Sequence, residues 1–255
     1  MKKALITGAT GGLGTCLAKE AANRGMDLVL VGRSWEKLNA LKDEIAAETP
    51  VSIAVYTVDF NHLPNTTQKM KHIFSKHPDV ELLINNAGLG YFKELEGMTT
   101  TEVTEMISTN VFGLTETTKA FLESASPKAV LNISSMAAKM SSPKSSVYSA
   151  TKAYVTQFSN TLRLELKPKK IGVHVVHAGP IATPFFEKAD KTGEYVKKID
   201  RWLIDPTKLA KQSLKMVKKN KRELNRPRMM KVGARFSVLF PRIADFFALK
   251  VFNYK

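Results

Sequence analysis

Tyr148 and Lys152 lie four residues apart, thirteen residues beyond Ser135. On a helix, positions i and i+4 share a face, so the phenol and the ammonium would point the same way. A free tyrosine has a pKa of roughly 10 and is a poor acid–base catalyst near neutrality. A neighbouring cation favours the phenolate and lowers that value. Tyr148 then has the chemistry to give a proton to a carbonyl oxygen, or to take one from an alcohol. Ser135 supplies a hydroxyl that can hydrogen-bond the same oxygen as charge develops. Tyr-x-x-x-Lys alone arises readily by chance in a chain with six tyrosines, so the argument rests on context. Without that context, Tyr148 reads as a half-buried helix tyrosine and Lys152 as a solvated charge.

The context begins at the amino terminus, with Thr7-Gly8-Ala9-Thr10-Gly11-Gly12-Leu13-Gly14 between a strand pattern and a helix pattern. Glycine permits a tight turn and lets the backbone approach a pyrophosphate closely. The free N–H groups and the dipole of the helix start then face the anion. The spacing is Gly-x-x-x-Gly-x-Gly rather than the Gly-x-Gly-x-x-Gly dinucleotide fingerprint, so its strand–turn–helix setting carries the weight. The second strand runs out into Val31-Gly32-Arg33-Ser34, with no acid to bond the ribose hydroxyls of NAD. Arg33 is a planar fork suited to a 2′-phosphate and Ser34 can add a hydrogen bond, so NADP(H) is expected over NAD(H).

Apolar, β-branched runs alternate with helical patterns along the chain. Strands are expected at Lys3–Thr7, Asp27–Val31, Val51–Thr57, Val80–Ile84, Lys128–Ile133 and Ile171–Val176. Helices are expected at about Leu13–Arg24, from a Ser34 cap to Glu48, and at Pro64–His77, Thr101–Glu123 and Val147–Leu166. Nearly continuous apolar strands in β–α–β repetition predict an α/β fold, a Rossmann-type doubly wound parallel sheet flanked by helices. The irregular stretch 184–205, with Phe185, Phe186, Tyr195 and Trp202 among charges, reads as a substrate lid.

Charge is unevenly spread. Pro206–Lys255 holds 14 Lys/Arg against Glu223 and Asp245, so it carries +12 of the net +16. A basic segment can answer nucleic acid, an anionic membrane or an acidic ligand, or simply solvate a helix face. No nucleic-acid motif accompanies it, so no nucleic-acid partner is expected. Beyond Pro241, Ile243, Phe246, Phe247 and Val251 recur at helical spacing, which makes a basic amphipathic helix. Such a helix can meet a membrane surface, roof a pocket, pack on a second subunit or dock on its own domain. The single cysteine, Cys16, excludes an intrachain disulfide and a cysteine zinc cluster, and no metal site is expected. The apolar run after Lys3 stops too soon for an export segment, so a cytoplasmic location is expected, with membrane association at most at the surface.

Taken together, Thr7–Gly14, Asn85-Asn86-Ala87-Gly88, Asn110, Ser135, Tyr148 and Lys152 resemble a compact short-chain dehydrogenase/reductase of about 250 residues, over roughly Lys2–Lys221. The resemblance implies a carbonyl–alcohol oxidoreductase with Tyr148 as general acid/base and Ser135 positioning the carbonyl. Lys152 would tune Tyr148 and hold the nicotinamide ribose. Asn110 would keep a proton-relay water. For the cofactor it implies Gly8, Thr10, Gly12, Leu13 and Gly14 at the phosphates, Asp59 with Phe60 at the adenine, and Asn86, Ala87 and Gly88 at the adenosine ribose. Pro180, Ile181 and Thr183 would meet the nicotinamide amide. It further implies a homo-oligomer and suggests an apolar, lipid-like substrate. Ala178-Gly179 stands where the family usually has Pro-Gly. Arg222–Lys231 is basic and unlike the seventh apolar strand of many relatives, so a dimer is expected rather than a tetramer. The chain thus divides into a catalytic unit, 1–221, and an extension, 222–255. The alternative is a non-enzymatic NADP(H)-binding sensor or scaffold.

Overall fold

In each inner strand, alternate side chains point to opposite faces and both faces are apolar. Ala4 and Ile6 of β1 (Lys3–Thr7) join one core with Leu28 and Leu30, whereas Leu5 joins the other with Val29 and Val31. Such strands are stable only with helices on both sides. The computed structural model of the chain, which describes residues 1–190, 193, 197 and 202–251, has this arrangement. Strands β2 (Asp27–Gly32), β3 (Ile53–Thr57), β4 (Leu82–Asn85), β5 (Ala129–Ser135), β6 (Gly172–Ala178) and β7 (Glu223–Arg226) complete the sheet. Their order is β3-β2-β1-β4-β5-β6-β7 and every pair is parallel.

Helices α1 (Gly12–Ala22), α2 (Trp35–Glu48) and α8 (Pro206–Lys218) cover one face, where Leu17, Leu38 and Leu214 are buried. Helices α3 (Leu63–Lys76), α5 (Leu114–Ser124) and α6 (Ser146–Leu166) cover the other, where Phe74 packs on Phe121. Ser34 caps α2 as expected, accepting from the Lys37 amide at 3.2 Å. Because the chain leaves β3 and crosses back to β4, β1 has neighbours from both directions. A crevice therefore opens at the carboxyl ends of β1 and β4.

Two elements differ from expectation. The single helix predicted over Thr101–Glu123 is α4 (Thr100–Ile107), a wider π-helical turn at Ser108–Gly113, and then α5. Phe60 presses so closely on Gly113 that a Cβ there would lie 2.5 Å from its ring, a tertiary contact that no local periodicity encodes. The second correction is β7. Arg222–Lys231 looks too polar for a strand, yet Glu223–Arg226 pairs with Val175–Ala178. Ion pairs make this edge strand feasible. Lys139 donates to Glu223 Oε2 at 2.9 Å and to Asn225 Oδ1 at 3.1 Å, and Lys231 lies 3.6 Å from Glu223 Oε1.

Behind β7, His177 is fully buried, with Nε2 3.2 Å from Thr156 Oγ1 and Nδ1 3.8 Å from Glu223 Oε2. Burial, with the Lys139 charge adding to it, pushes the imidazole down to about 4. Burial alone would raise the Glu223 carboxyl, but Lys139 outweighs it and the group falls to about 2. Both groups bind protons more weakly folded than unfolded, so both make the fold acid-labile. His177 should remove stability as pH falls from its ordinary value of about 6.5 towards 4, with a slope approaching about 1.4 kcal/mol per pH unit. Glu223 should remove more only below the ordinary glutamate range, as pH falls towards 2. Burial also lowers His77 and His174, so urea denaturation across pH is expected to show His177→Asn reducing the slope of the upper window and leaving the lower one. A wild-type profile flat between pH 6.5 and 4 would refute this account.

Gly14 offers a second test. A Cβ there would lie 2.1 Å from the Gly8 carbonyl oxygen, closer than any relaxed contact. Gly14→Ala is expected to cost roughly 2 kcal/mol or more by urea denaturation. An unchanged midpoint would mean that the loop is not tightly set.

Candidate active site

The loop after β1 is held from the far side of the crevice. Thr7 Oγ1 accepts from the amides of Asn86 and Ala87, each at 3.1 Å, where the chain leaves β4. Asn86 Nδ2 donates back to the carbonyls of Thr7 and Gly8, at 3.2 and 3.0 Å. Gly8 has φ +62°, and a Cβ on it would sit 2.8 Å from Ala87 Cα. Glycine is therefore required there twice, for its conformation and for the close approach. The side chain of Gly12 is likewise excluded, by Thr183 at 2.6 Å. No side chain caps the start of α1, so its first amides are left to face the crevice.

Tyr148 and Lys152 lie in the first two turns of α6, and Ser135 ends β5. A buried polar chain sets α6 against the sheet. Asn85 Nδ2 donates to Thr118 Oγ1 and to Asn132 Oδ1, each at 2.9 Å, and Asn132 Nδ2 donates to Ser159 Oγ at 2.9 Å. Ser134 Oγ also donates to the Lys152 carbonyl at 2.9 Å. The Lys152 ammonium is buried, 3.2 Å from the Ile133 carbonyl and 5.8 Å from the centre of the Tyr148 ring. Burial lowers its pKa to about 8, so it is still mostly charged at neutral pH. Ser135 Oγ accepts from the Ala137 amide at 3.1 Å, which orients the hydroxyl and leaves its proton to donate.

One cleft of about 1180 Å³ joins these parts. Every residue named above for catalysis or cofactor lines it except Asn110. Gly8, Thr10, Gly12, Leu13 and Gly14 form one end with Arg33 and Ser34, while Asp59 and Phe60 follow β3. Asn86, Ala87 and Gly88 lie across from them, and Pro180, Ile181 and Thr183 lead away from β6. Asn110 is instead buried behind the cleft. It accepts from the Leu89 amide at 3.0 Å and donates to the Leu89 carbonyl at 2.8 Å and to Thr151 Oγ1 at 3.0 Å. It thereby fixes the stretch Gly88–Gly90, where added Cβ atoms would meet Lys152 Nζ at 3.0 Å and the Tyr148 ring at 2.8 Å. Ser34 Oγ donates to Glu36 at 2.8 Å as well as capping α2.

Sequence reasoning missed several residues of the cleft. Lys37 lines it one turn beyond Arg33, a signal available from helical spacing. Phe92 was not foreseeable. Its ring lies 5.4 Å from Tyr148 and 6.0 Å from Phe186, and Phe185 lies 6.0 Å from Tyr148. The Phe92 amide donates to the Ala189 carbonyl at 2.8 Å, at the end of α7 (Phe185–Ala189). Ile181 and Ile204 form a bridge at the base of the 184–205 stretch, and Trp202 lines the cleft. Tyr195 lies outside the described residues. Helices α9 (Arg228–Leu239) and α10 (Pro241–Val251) close the far side through Met230, Ser237 and Ala248. Among the described residues, no cluster of His, Cys, Asp or Glu could hold a metal ion.

The glycine-rich end, where Gly8, Gly12 and Gly14 leave the backbone bare and uncapped helix amides lie beside Arg33 and Lys37, fits a phosphorylated dinucleotide. The Ser–Tyr–Lys end beside it fits proton transfer at a carbonyl or alcohol oxygen.

Comparison with known proteins agrees with this geometry. A family model described as short chain dehydrogenase matches residues 2–194. The very-long-chain 3-oxoacyl-CoA reductase of Mus musculus is 35% identical over 188 residues, 71% of this chain and 59% of that protein. The chain thus spans about three fifths of the length of that relative. The NADP-dependent 3-hydroxy acid dehydrogenase of Salmonella typhi is 32% identical over 203 residues, 74% of this chain and 80% of that one. Among solved structures, a short-chain dehydrogenase from Sphingobium yanoikuyae in complex with NADPH superposes with a TM-score of 0.80 at 26% identity, over 97% of this chain and 96% of that one. With the family model matching most of its length, relatives above 30% identity and the same fold in solved members, the chain belongs to the short-chain dehydrogenase/reductase family of oxidoreductases.

Proposed function

We propose that the protein is an NADP(H)-dependent oxidoreductase that interconverts a carbonyl and a secondary alcohol on an apolar substrate. The observation that carries this reading is the convergence of Ser135, Tyr148 and the buried Lys152 on the floor of a cleft whose other end is the glycine loop. In the reducing direction, the Tyr148 hydroxyl gives its proton to the carbonyl oxygen while Ser135 Oγ donates a hydrogen bond to that oxygen. The Lys152 ammonium stabilises the phenolate left behind, and its buried position strengthens that attraction. In the oxidising direction, the phenolate takes the alcohol proton. When bound, the nicotinamide supplies or accepts the hydride. Asn110 is a positioning residue that acts through Leu89 on the chain touching both Tyr148 and Lys152.

Arg33, with Lys37 beside it, reads the 2′-phosphate. The relative named NADP-dependent and the neighbour solved with NADPH support this preference. Phe92, Phe185 and Phe186 line the substrate end and would exclude water while accepting an apolar chain. Phe185, Phe186 and Trp202, the described cleft aromatics of the 184–205 stretch, act as a lid over that end. Residues 1–221 together with β7 form the catalytic unit, and the helices that follow it, α9 and α10, are the extension that makes peripheral contact with a membrane. The assembled form is a dimer, and the protein works in the cytoplasm.

Tyr148→Phe removes the hydroxyl that carries the transferable proton and keeps the ring. It is expected to lower kcat by about 10²–10⁴-fold while NADPH still binds, as read by NADPH fluorescence titration and by oxidation against a panel of ketones and aldehydes. Wild-type turnover by the variant would sink the mechanism. Tight NADPH binding by the wild type with no turnover on any panel member would favour the scaffold reading. Arg33→Asp is expected to weaken NADPH binding by about tenfold or more relative to NADH, the worth of a charge-assisted hydrogen bond. An unchanged NADPH/NADH affinity ratio would show that Arg33 does not read the phosphate.

A further inference from the structure

Helices α9 and α10 have two sides of different character. Their inner side, through Met230, Ser237 and Ala248, is wall of the catalytic cleft. Their outer side leaves Met229, Val232, Leu239 and Phe246 exposed by 67, 70, 72 and 62%. None of the residues of α10 is fully buried. Monomeric proteins rarely expose a contiguous apolar surface of this kind without a use for it. Five cations, Arg228, Lys231, Arg235, Arg242 and Lys250, flank these residues along the two helices. The helices carry one acid, Asp245, and it lines the cleft.

That charge pattern decides between occupants. A second copy seated on the same face would bring like-charged helices together, which is unfavourable. An anionic lipid surface offers phosphates to the cations and acyl chains to the apolar residues at once. Neither helix is long and apolar enough to cross a membrane, so the pair would lie in the surface. We infer that α9 and α10 dock on an anionic phospholipid bilayer, with Val232, Leu239, Ile243 and Phe246 among the acyl chains and Arg235, Arg242 and Lys250 at the phosphates. Because the inner side of the same helices is cleft wall, docking sets the cleft beside the bilayer, where an apolar substrate is concentrated. This delivery role rests on the carbonyl reductase reading, whereas the docking itself does not.

The test is flotation of the full chain with vesicles of equimolar phosphatidylglycerol and phosphatidylcholine, and with vesicles of phosphatidylcholine alone. NADPH binding and turnover of a water-soluble ketone are measured on the same samples. One variant combines Val232→Ser, Ile243→Ser and Phe246→Ser. The other combines Arg235→Glu and Arg242→Glu. None of these five residues lines the catalytic cleft. The wild type is expected to float with the phosphatidylglycerol vesicles and not with phosphatidylcholine alone, and high salt should release it. Each variant is expected to lose about tenfold or more in partitioning while keeping NADPH affinity, which also shows that it is folded. Flotation with no turnover of any member of the ketone and aldehyde panel would support docking and remove the reductase reading. A wild type that stays soluble beside the phosphatidylglycerol vesicles would overturn docking, as would variants that float like wild type. So would a dimer, measured by analytical ultracentrifugation, that the apolar variant splits while no form floats, since the face would then belong to a second copy.

Discussion

The active cleft depends on how closely the backbone after β1 can approach the backbone after β4. Gly8 sits with φ +62° where any Cβ would press on Ala87, and Asn86 spans the remaining gap with hydrogen bonds to the Thr7 and Gly8 carbonyls. Thr7 answers from the other side by accepting the Asn86 and Ala87 amides. These are the backbone groups that a parallel sheet leaves unpaired at its carboxyl edge, where the strand order reverses. Pairing them across the reversal sets the width of the crevice. It also leaves the first amides of α1 for an anion rather than for the protein. A nucleotide site and the geometry of the β1–β4 junction are therefore the same physical fact.

The catalytic side depends on burial. Lys152 lies under Gly88 and Tyr148, next to the Ile133 carbonyl, and burial alone draws its pKa to about 8. The ammonium is kept in a poorly solvated place where its field on the neighbouring ring is strong. Keeping it there requires α6 to sit accurately on β5. The Asn85–Asn132–Ser159 chain and the Ser134 bond to the Lys152 carbonyl provide this with directional contacts rather than apolar packing alone. Asn110 contributes in the same way, by fixing Leu89 from behind.

The carboxyl-terminal part of the chain shows how charge can replace hydrophobicity at a sheet edge. Glu223–Arg226 has little apolar content, yet it completes the sheet because Lys139 and Lys231 neutralise Glu223 and Asn225 is satisfied by Lys139. Lys139 also lines the cleft, so the edge strand, one wall of the cleft and the start of α9 share one ion-pair cluster. The helices that follow are tied to the site at their inner face and open at their outer one.

Much of this was legible from residue order, because it depends on local chemistry. The strand alternation, the Ser34 cap, the glycine-rich turn and the shared helical face of Tyr148 and Lys152 are set by neighbours within a few positions, where sequence spacing and physical spacing coincide. The polar extension hid β7, because its stabilising partner Lys139 lies 84 positions from Glu223. The widened turn at Ser108–Gly113 was hidden for the same reason, since Phe60 reaches it from the end of β3. Asn110 was expected by resemblance to hold a relay water, whereas the packed structure turns its amide to Leu89. The sequence by itself determined the sheet-and-helix alternation, the glycine-rich turn and the order of Ser135, Tyr148 and Lys152 along β5 and α6. The tertiary structure decided the depth at which Lys152 is buried, the pairing of β7 and the union of α9 and α10 with the cleft, because each needs groups distant along the chain to meet in a low-dielectric interior.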